Sequence, residues 1–408
     1  MADVKKIPYY KPQKGLLGPE LKEYKGSQGC IPLDTQKTVS IDRLAPGEKP
    51  PPPPPPPPPK PAIKAPEAPK QAPVPKEPSK TESSKPNVPP QQAEAEVCEN
   101  PPPFDLQDVP IAMDNVGWKV SAKLARSWFA RSEHVYDNDT KSVQPVDSDT
   151  VTLDWTLKFG RVRAKYERFL EKDIYSQRAV ATAEDNVKPF VQKLLADRSP
   201  VLNFNTSGYL GDLRKLHIDW EFQLLSISDW DTFENLAPTD LTGALANFNI
   251  YAAIGDVEIS GDKYYRYVGK DSYYCVGAVG KITHIYVYVK DNYSFNGKQY
   301  LGHWNKRGVI IAPGPVLSGA ASSSPKRDTD MDVWVKSVDK PVDTRRGLFG
   351  KFREPDVFYP VYNSDYSRWR DKHHRGGDFM VYSKPVYLAL KKPIDIKLGE
   401  ICRQESSN

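Results

Sequence analysis

Apolar side chains recur every four positions through Val116, Val120, Leu124 and Trp128, with Phe129 beside the last. That spacing lays them on one face of a helix, and Asp114 just ahead is a candidate N-cap. The stripe predicts a helix ending near Ser132. A second stripe, through Trp155, Phe159, Val162, Tyr166, Phe169 and Leu170, predicts a helix over 154–170. Residues 174–197 predict a third helix, bent at Pro189, which removes one helical hydrogen bond.

Beyond Pro200 the period changes from four to two. Strands are predicted over 220–227 and 245–259, the latter carrying Phe248, Ile250, Ala252 and Ile254 in alternation. Further strands follow over 264–268 and 273–279, with glycine-containing turns between. The clearest strand is 282–290. There Ile285, Val287 and Val289 point one way, and His284, Tyr286 and Tyr288 the other. Shorter strands are expected over 299–304, 309–312, 331–338, 357–361 and 379–390. Helices first and then many short, Tyr- and Val-rich strands predict an α+β fold, with N-terminal helices packed on an antiparallel β-rich body.

Composition divides the chain before that body begins. Of the 40 prolines in 408 residues, 24 lie between Pro46 and Pro110. Ten of them, residues 50–59, form an unbroken run that must adopt polyproline II, a stiff rod of roughly 30 Å. Three regions are therefore expected. Residues 1–45 are a polar segment suited to export or docking. Residues 46–103 are a disordered proline-rich linker, a spacer or a ligand for a proline-binding module. Residues 104–408 are the folded body, helical to 200 and β-rich from 201. A polyproline rod followed by lysine- and glutamate-rich sequence cannot pack a core.

Charge narrows the function classes. The chain carries 57 Lys and Arg against 52 Asp and Glu, a net of +5. Residues 1–103 hold 15 basic and 12 acidic side chains, so the body is left with 42 and 40. A body so close to neutral has no global nucleic-acid footprint. No apolar run approaches the roughly 20 residues of a membrane helix. The basic N-terminus is not followed by an apolar stretch, so export without a cleavable signal peptide is expected. Cys30, Cys98, Cys275 and Cys402 are scattered, and none stands in a CxxC pair. They read as reduced thiols in a protein made in the cytoplasm.

Candidate chemistry concentrates in 287–304, VYVKDNYSFNGKQYLGHW. Asn296-Gly297 signals a hairpin turn, in which Asp291 and Asn296 would bond their own loop backbone. The alternative places Asp291, Tyr293 and His303 on one rim as an acid–base set, since a carboxylate with an imidazole can move a proton or hold a metal. This run resembles the D-x-Y-D element of the colicin M family, which hydrolyses the lipid carrier of cell-wall synthesis. Asp291 and Tyr293 match that element. Ser294 stands where the family has its second Asp, and the His303-Trp304 pair lacks the family's Arg.

Residues 104–129, 152–167, 288–304 and 377–385 are similar to an uncharacterised bacterial family whose members are encoded beside type VI secretion spike proteins. The layout of polar head, proline rod and body resembles an iron-acquisition effector of that system. The resemblance implies a secretion spike protein as partner. It also implies, at the outer membrane, a siderophore receptor, a porin, or a quinolone–iron complex carried by vesicles.

Two further features suggest binding. Residues 368–375, RWRDKHHR, form the one dense basic cluster and read as a loop. Arg368, Trp369 and Arg370 could stack on bases or meet an anionic lipid surface, or stand as a solvated loop beside Asp365, Asp371 and Asp378. His373-His374 with Asp378 is a possible metal set, but no spacing establishes one. The 22 tyrosines are the strongest compositional oddity. Tyr251, Tyr264, Tyr265, Tyr267, Tyr273, Tyr274, Tyr286 and Tyr288 fall in predicted strands and, with Asn296 and Trp304, would form an exposed recognition face, or else pack with their hydroxyls at the rim. Without a catalytic or cofactor signature, the leading expectation is a non-enzymatic binding effector. A toxin enzyme using Asp291, Tyr293 and His303 is the competitor.

Overall fold

A computed structural model describes residues 9–15, 18–24, 39–50, 104–136, 144–234, 238–295, 297, 299–310 and 359–405. Residues 51–103 of the expected proline-rich linker, Asn296 and the strand expected over 331–338 lie outside these residues. Strands β1 (Tyr9–Gly15) and β2 (Gly18–Tyr24) form an antiparallel ribbon. Residues 39–50 run against the body, and Ser40 bridges Asp105.

The helical half follows the predicted stripes but breaks them. The first stripe divides into α1 (Val109–Asn115) and α2 (Lys119–Ala130). Gly117 sits between them at φ +87°, a left-handed conformation that ends one helix and redirects the next. Asp114 is therefore no N-cap. It lies in the last turn of α1, where its carboxylate pairs with Lys119 and Arg126. The start of α2 is capped from a distance, because the Asp240 carboxylate accepts the Val120 and Ser121 N–H groups at 3.0 and 2.9 Å.

The second stripe divides into α3 (Leu153–Thr156), capped by Thr152, and α4 (Gly160–Glu171). The third is α5 (Gln177–Ala196), capped by Ser176. It buries Ala179, Ala183, Val187, Val191 and Leu195 at four-residue steps, while Pro189 stays on its exposed side. Helix α6 (Leu213–Trp220) leads directly into β4 (Glu221–Ile227), and the short helices α7 (Asp229–Thr232) and α8 (Asp240–Ala244) follow.

The β-rich half is organised by two strands far longer than expected, β5 (Phe248–Val268) and β6 (Asp271–Tyr293). The turns anticipated at the internal glycines do not exist. Both strands run through them, with a bulge around Gly255, and reverse only at Gly269-Lys270. Partners divide the length of this central ladder. Strand β4 and the two-residue β3 (Phe204–Asn205) pair with the inner part of β5. Strand β10 (Phe379–Tyr382) pairs with the end of β6, and β11 (Val386–Glu405) pairs with the rest of it. The single strand expected over 379–390 is thus two, parted at Ser383, whose N–H and Oγ both bond the Val289 backbone. A second, three-stranded sheet orders as β8 (Gly308–Ile310), β7 (Tyr300–Asn305) and β9 (Tyr359–Tyr362), and β9 runs into α9 (Asn363–His373).

The expected α+β architecture is therefore present. Two expectations change. Cys275 and Cys402 face each other across β6 and β11 with Cα atoms 4.1 Å apart, and they are disulfide-bonded rather than reduced. Both faces of β6 are buried from Ile285 to Asp291, where His217 of α6 meets Tyr288 and Tyr387 packs on Tyr286. Among the described residues no helix is long and apolar enough to cross a membrane.

Candidate functional site

At its C-terminal end β6 carries polar residues into the interior. Lys290 stands opposite Asn249 of β5 and Tyr382 of β10, and Asp291 stands opposite Val381. Asp291 is 9% exposed. Burial raises its carboxyl to about 8, against the opposing influence of the Asn292 N–H, the Lys290 ammonium and the Tyr293 hydroxyl. At neutral pH this carboxyl holds its proton. Burial, and then the neighbouring Asp291, push the Tyr293 phenol well above its ordinary value. The Tyr293 ring stacks on Phe295 at 6.2 Å and meets the edge of Phe379 at 6.5 Å.

Two cavities meet at this point. The first, about 320 Å³, is lined largely by Trp118, Leu124 and Trp128 of the helical half and by Phe295, Leu301 and Trp304 beyond β6. Asp291, Asn292, Tyr293, Gln299 and Asn363 bring polar groups to its wall. The second is a cleft of about 580 Å³, lined by Lys165, Ser226, Ser228, Asn247, Asn249, Tyr251 and Lys290 with Asp291 and Asn292. Lys165 is paired with Asp231 at 2.5 Å. The Lys290 ammonium lies 5.9 and 5.8 Å from the ring centres of Tyr251 and Tyr382, within cation–π range. Asn247, Asp291 and Asn292 line both cavities. The Asn247 side-chain oxygen Oδ1 accepts the Asp229 N–H at 2.6 Å. Ala246 before it is held at φ +48°, a strained value for a residue with a Cβ.

The expected acid–base set assembles only in part. Asp291 and Tyr293 adjoin on the wall of the apolar cavity. His303 lines neither cavity, and reaches the apolar one only through Tyr300, whose hydroxyl bonds His303 Nδ1. Burial lowers the His303 imidazole to about 3, so it is neutral at physiological pH.

The expected binding residues distribute differently. Tyr286 and Tyr288 are 4% and 1% exposed, so they form no recognition surface. Tyr288 stacks between Tyr251 and Tyr382, and its hydroxyl lies 2.9 Å from His217 Nδ1. Trp304 does line the apolar cavity, with its edge toward Trp118 at 6.4 Å.

Residues 368–373 belong to α9 and not to a loop. Trp369 is buried against Trp128 and Phe129. Arg368 pairs with Asp365 at 2.6 Å, and Arg370 with Asp371 at 2.8 Å. A cluster whose tryptophan is buried and whose arginines are paired makes a poor stacking platform for bases. The possible metal set is dispersed as well. His373 faces Glu48 and the Ile41 carbonyl, His374 faces Glu133, and the Asp378 carboxylate accepts the Tyr136 N–H. Among the described residues the one convergent group of His, Cys, Asp or Glu side chains is Cys275, Glu400 and Cys402, and there the two sulfurs are bonded to each other.

Sequence reasoning missed Lys165, Ser226, Ser228, Asn247 and Asn249, and had Tyr251 only as one of a row of strand tyrosines. A signal existed in Asn247, Asn249, Lys290 and Asn292, polar residues at alternate positions where otherwise apolar strands end. Facing strand ends with such a pattern mark a polar wall inside a sheet.

Residues 104–398 match the model of DUF6402, a family of unknown function, and the chain belongs to that family. No curated protein and no solved structure matches the chain.

Proposed function

We propose that this protein is a non-enzymatic binding effector whose body holds a small amphiphilic molecule around Asp291. The reading is carried by one observation: an aromatic cavity and a lysine- and amide-lined cleft share Asn247, Asp291 and Asn292 as a common wall. A flat apolar body fits between Trp118, Trp128 and Trp304. A polar or anionic head fits toward Lys165, Lys290 and the three asparagines. A protonated Asp291 donates a hydrogen bond at the junction without bringing a negative charge.

The cellular setting belongs to the same proposal. It is a type VI effector, delivered with a secretion spike protein and acting at the outer membrane in iron acquisition. There a siderophore receptor, a porin or a quinolone–iron complex would be its partner. The Cys275–Cys402 disulfide supports a destination outside the reducing cytosol. A quinolone has the planar apolar body and polar edge that the two cavities favour.

The second reading is a cell-envelope hydrolase, favoured by a carboxyl that holds its proton at neutral pH beside Tyr293. One experiment separates the two. The full chain is titrated with 8-anilinonaphthalene-1-sulfonate, a flat aromatic body with one anionic group, and fluorescence is followed. The binding reading expects saturable one-to-one enhancement, abolished by Ala125→Phe, which fills the cavity. It also expects binding to survive in Asp291→Asn, which keeps a neutral side chain there. Enhancement unchanged in a folded Ala125→Phe protein overturns it. Envelope lysis on periplasmic expression of residues 104–408, lost in Asp291→Asn, establishes the hydrolase instead.

A further inference from the structure

The outer edge of β5 is open along the half of the strand that leaves the body. Strand β4 covers positions 248–253 and β3 covers 256–257. From Glu258 to Val268, the strands among the described residues that pair with β5 reduce to β6 alone. The direction of the free backbone groups follows from the hairpin. The two-residue loop Gly269-Lys270 closes on Val268 opposite Asp271, so even-numbered residues of β5 bond β6 and odd-numbered ones point outward. Asn203 confirms this parity, since its side-chain oxygen accepts the Ile259 N–H at 2.7 Å from outside the ladder. Past that cap, Gly261, Lys263, Tyr265 and Tyr267 present their backbone groups to solvent. Tyr265 and Tyr267 are 57% and 73% exposed. The opposite margin of the sheet is treated differently. There α5 meets β11, with Glu184 accepting the Lys397 N–H and Arg403 reaching the Leu195 carbonyl. A long exposed edge is a template for another strand.

The sequence of that edge identifies the strand it fits. We propose that it pairs with the same edge of a second copy of this chain, as an antiparallel two-fold ladder centred on Tyr264. About that centre, Asp262 of each copy faces Arg266 of the other, which gives two opposite-charge pairs on one face. Tyr264 faces Tyr264. Lys263 faces Tyr265, and both are outward-bonding positions, as a ladder requires. Gly261 faces Tyr267. Gly261 lies so close to the Gly277 carbonyl that a Cβ there would stand 2.0 Å from its oxygen, and the partner's aromatic ring covers the surface the glycine leaves bare. Asp262 and Arg266 are exposed in the single chain, and Arg266 reaches Glu400 on the same face, which holds it in place for the pair. Moving the centre to Lys263 or Tyr265 keeps outward-bonding positions opposite one another but sets Asp262 against Tyr264 or Val268, and both charge pairs are lost.

The test is the mass of the full chain by light scattering after gel filtration, from low to high micromolar concentration. The wild type moves from one chain to two as concentration rises. Asp262→Arg places like charges opposite each other twice and weakens association about tenfold. Arg266→Asp does the same. The double exchange Asp262→Arg/Arg266→Asp restores both pairs and returns association toward the wild-type value. Tyr265→Pro removes an outward N–H at an edge position that tolerates proline, and leaves a folded monomer by circular dichroism. A wild type that stays monomeric throughout overturns the proposal. So does a dimer indifferent to Tyr265→Pro, or a double exchange no better than either single change.

Discussion

The Tyr288 hydroxyl on β6 and Nδ1 of His217 on α6 lie 2.9 Å apart inside the protein. Burial, chiefly, raises the Tyr288 phenol well above its ordinary value, so the hydroxyl keeps its proton and shares one hydrogen bond with the imidazole. The bond ties the first helix of the β-rich half to the central ladder. Tyr288→Phe leaves Nδ1 without this partner and should cost about 1–3 kcal/mol. Tyr288→Ala also opens a cavity and should cost about 3–5 kcal/mol. Val287→Ala on the opposite face should cost about 1–3 kcal/mol. Denaturant melts of the three variants check the order. A Tyr288→Ala protein as stable as the wild type would mean that α6 does not cover this face.

Asp291 and His303 set opposing pH dependences. The folded carboxyl titrates near 8 against 3.8 for an ordinary aspartate. Between those values the folded state binds the extra proton, so stability falls as pH rises, by as much as about 5 kcal/mol. The folded imidazole titrates near 3 against 6.5. Between those values the unfolded state binds the extra proton, so stability falls as pH drops. The two slopes offset each other from about pH 4 to 6.5, and above that only Asp291 acts. Stability should therefore be level in weak acid and decline from pH 6.5 to 8. Asp291→Asn should abolish that decline and leave a rise with pH between 4 and 6.5. His303→Gln should keep the decline and extend it downward. Thermal melts across pH 4–9 read all three profiles.

The parts of the stripes that fall in α2, α4 and α5 were legible because within one helix local spacing alone sets the buried face. Their breaks were not. Gly117 reads equally as a helix interruption or a helix residue until the Asp240 carboxylate, 120 positions away, is seen capping the next turn. The lengths of β5 and β6 were misread because glycines within them resemble turns, while only the Gly269-Lys270 loop reverses the chain. The continuation of β11 was missed although Ile394, Ile396 and Leu398 alternate in period two, because Lys391, Lys392 and Pro393 interrupt the pattern. Asp291 stood out as an acid at the end of an apolar strand. Its companions Lys165 and Asn247 are remote in sequence and meet it only through the packing of α4 and the α8–β5 connection. Of the tyrosines expected on a recognition face, Tyr264, Tyr265 and Tyr267 of β5 are exposed, whereas Tyr286 and Tyr288 of β6 are buried. Alternation finds two faces but does not say how many are covered.

Cys275 and Cys402 stand 127 positions apart, and their bond fastens β6 to β11 where the long ladder leaves the body. Closing a loop of that size removes much of the freedom of the unfolded chain, and its loss should cost about 2–5 kcal/mol. Dithiothreitol should lower the urea midpoint of the wild type. It should leave a Cys275→Ser/Cys402→Ser protein, already at the lower midpoint, unchanged. Equal midpoints for oxidised and reduced wild type would show that this pair contributes nothing to stability.

Residues 39–50 lie along α9 and the start of the body through three charged contacts. Arg43 makes a two-pronged pair with the buried Asp108, at 2.7 and 2.9 Å. Lys372 pairs with Asp42 at 2.5 Å. His373 sits with Nδ1 2.7 Å from a Glu48 carboxylate oxygen and Nε2 2.8 Å from the Ile41 carbonyl. Arg43→Ala removes the pair to a carboxylate that is otherwise approached by Lys306 at 3.7 Å, and should cost about 3–5 kcal/mol locally. Hydrogen exchange should then accelerate over residues 40–48 while α5 and β6 stay protected. Glu48→Gln should also loosen the strap, and less so, because an amide oxygen still accepts from Nδ1. Exchange over 40–48 unchanged in Arg43→Ala would show that the strap is held by its apolar contacts at Val39 and Ala45 and not by these charges.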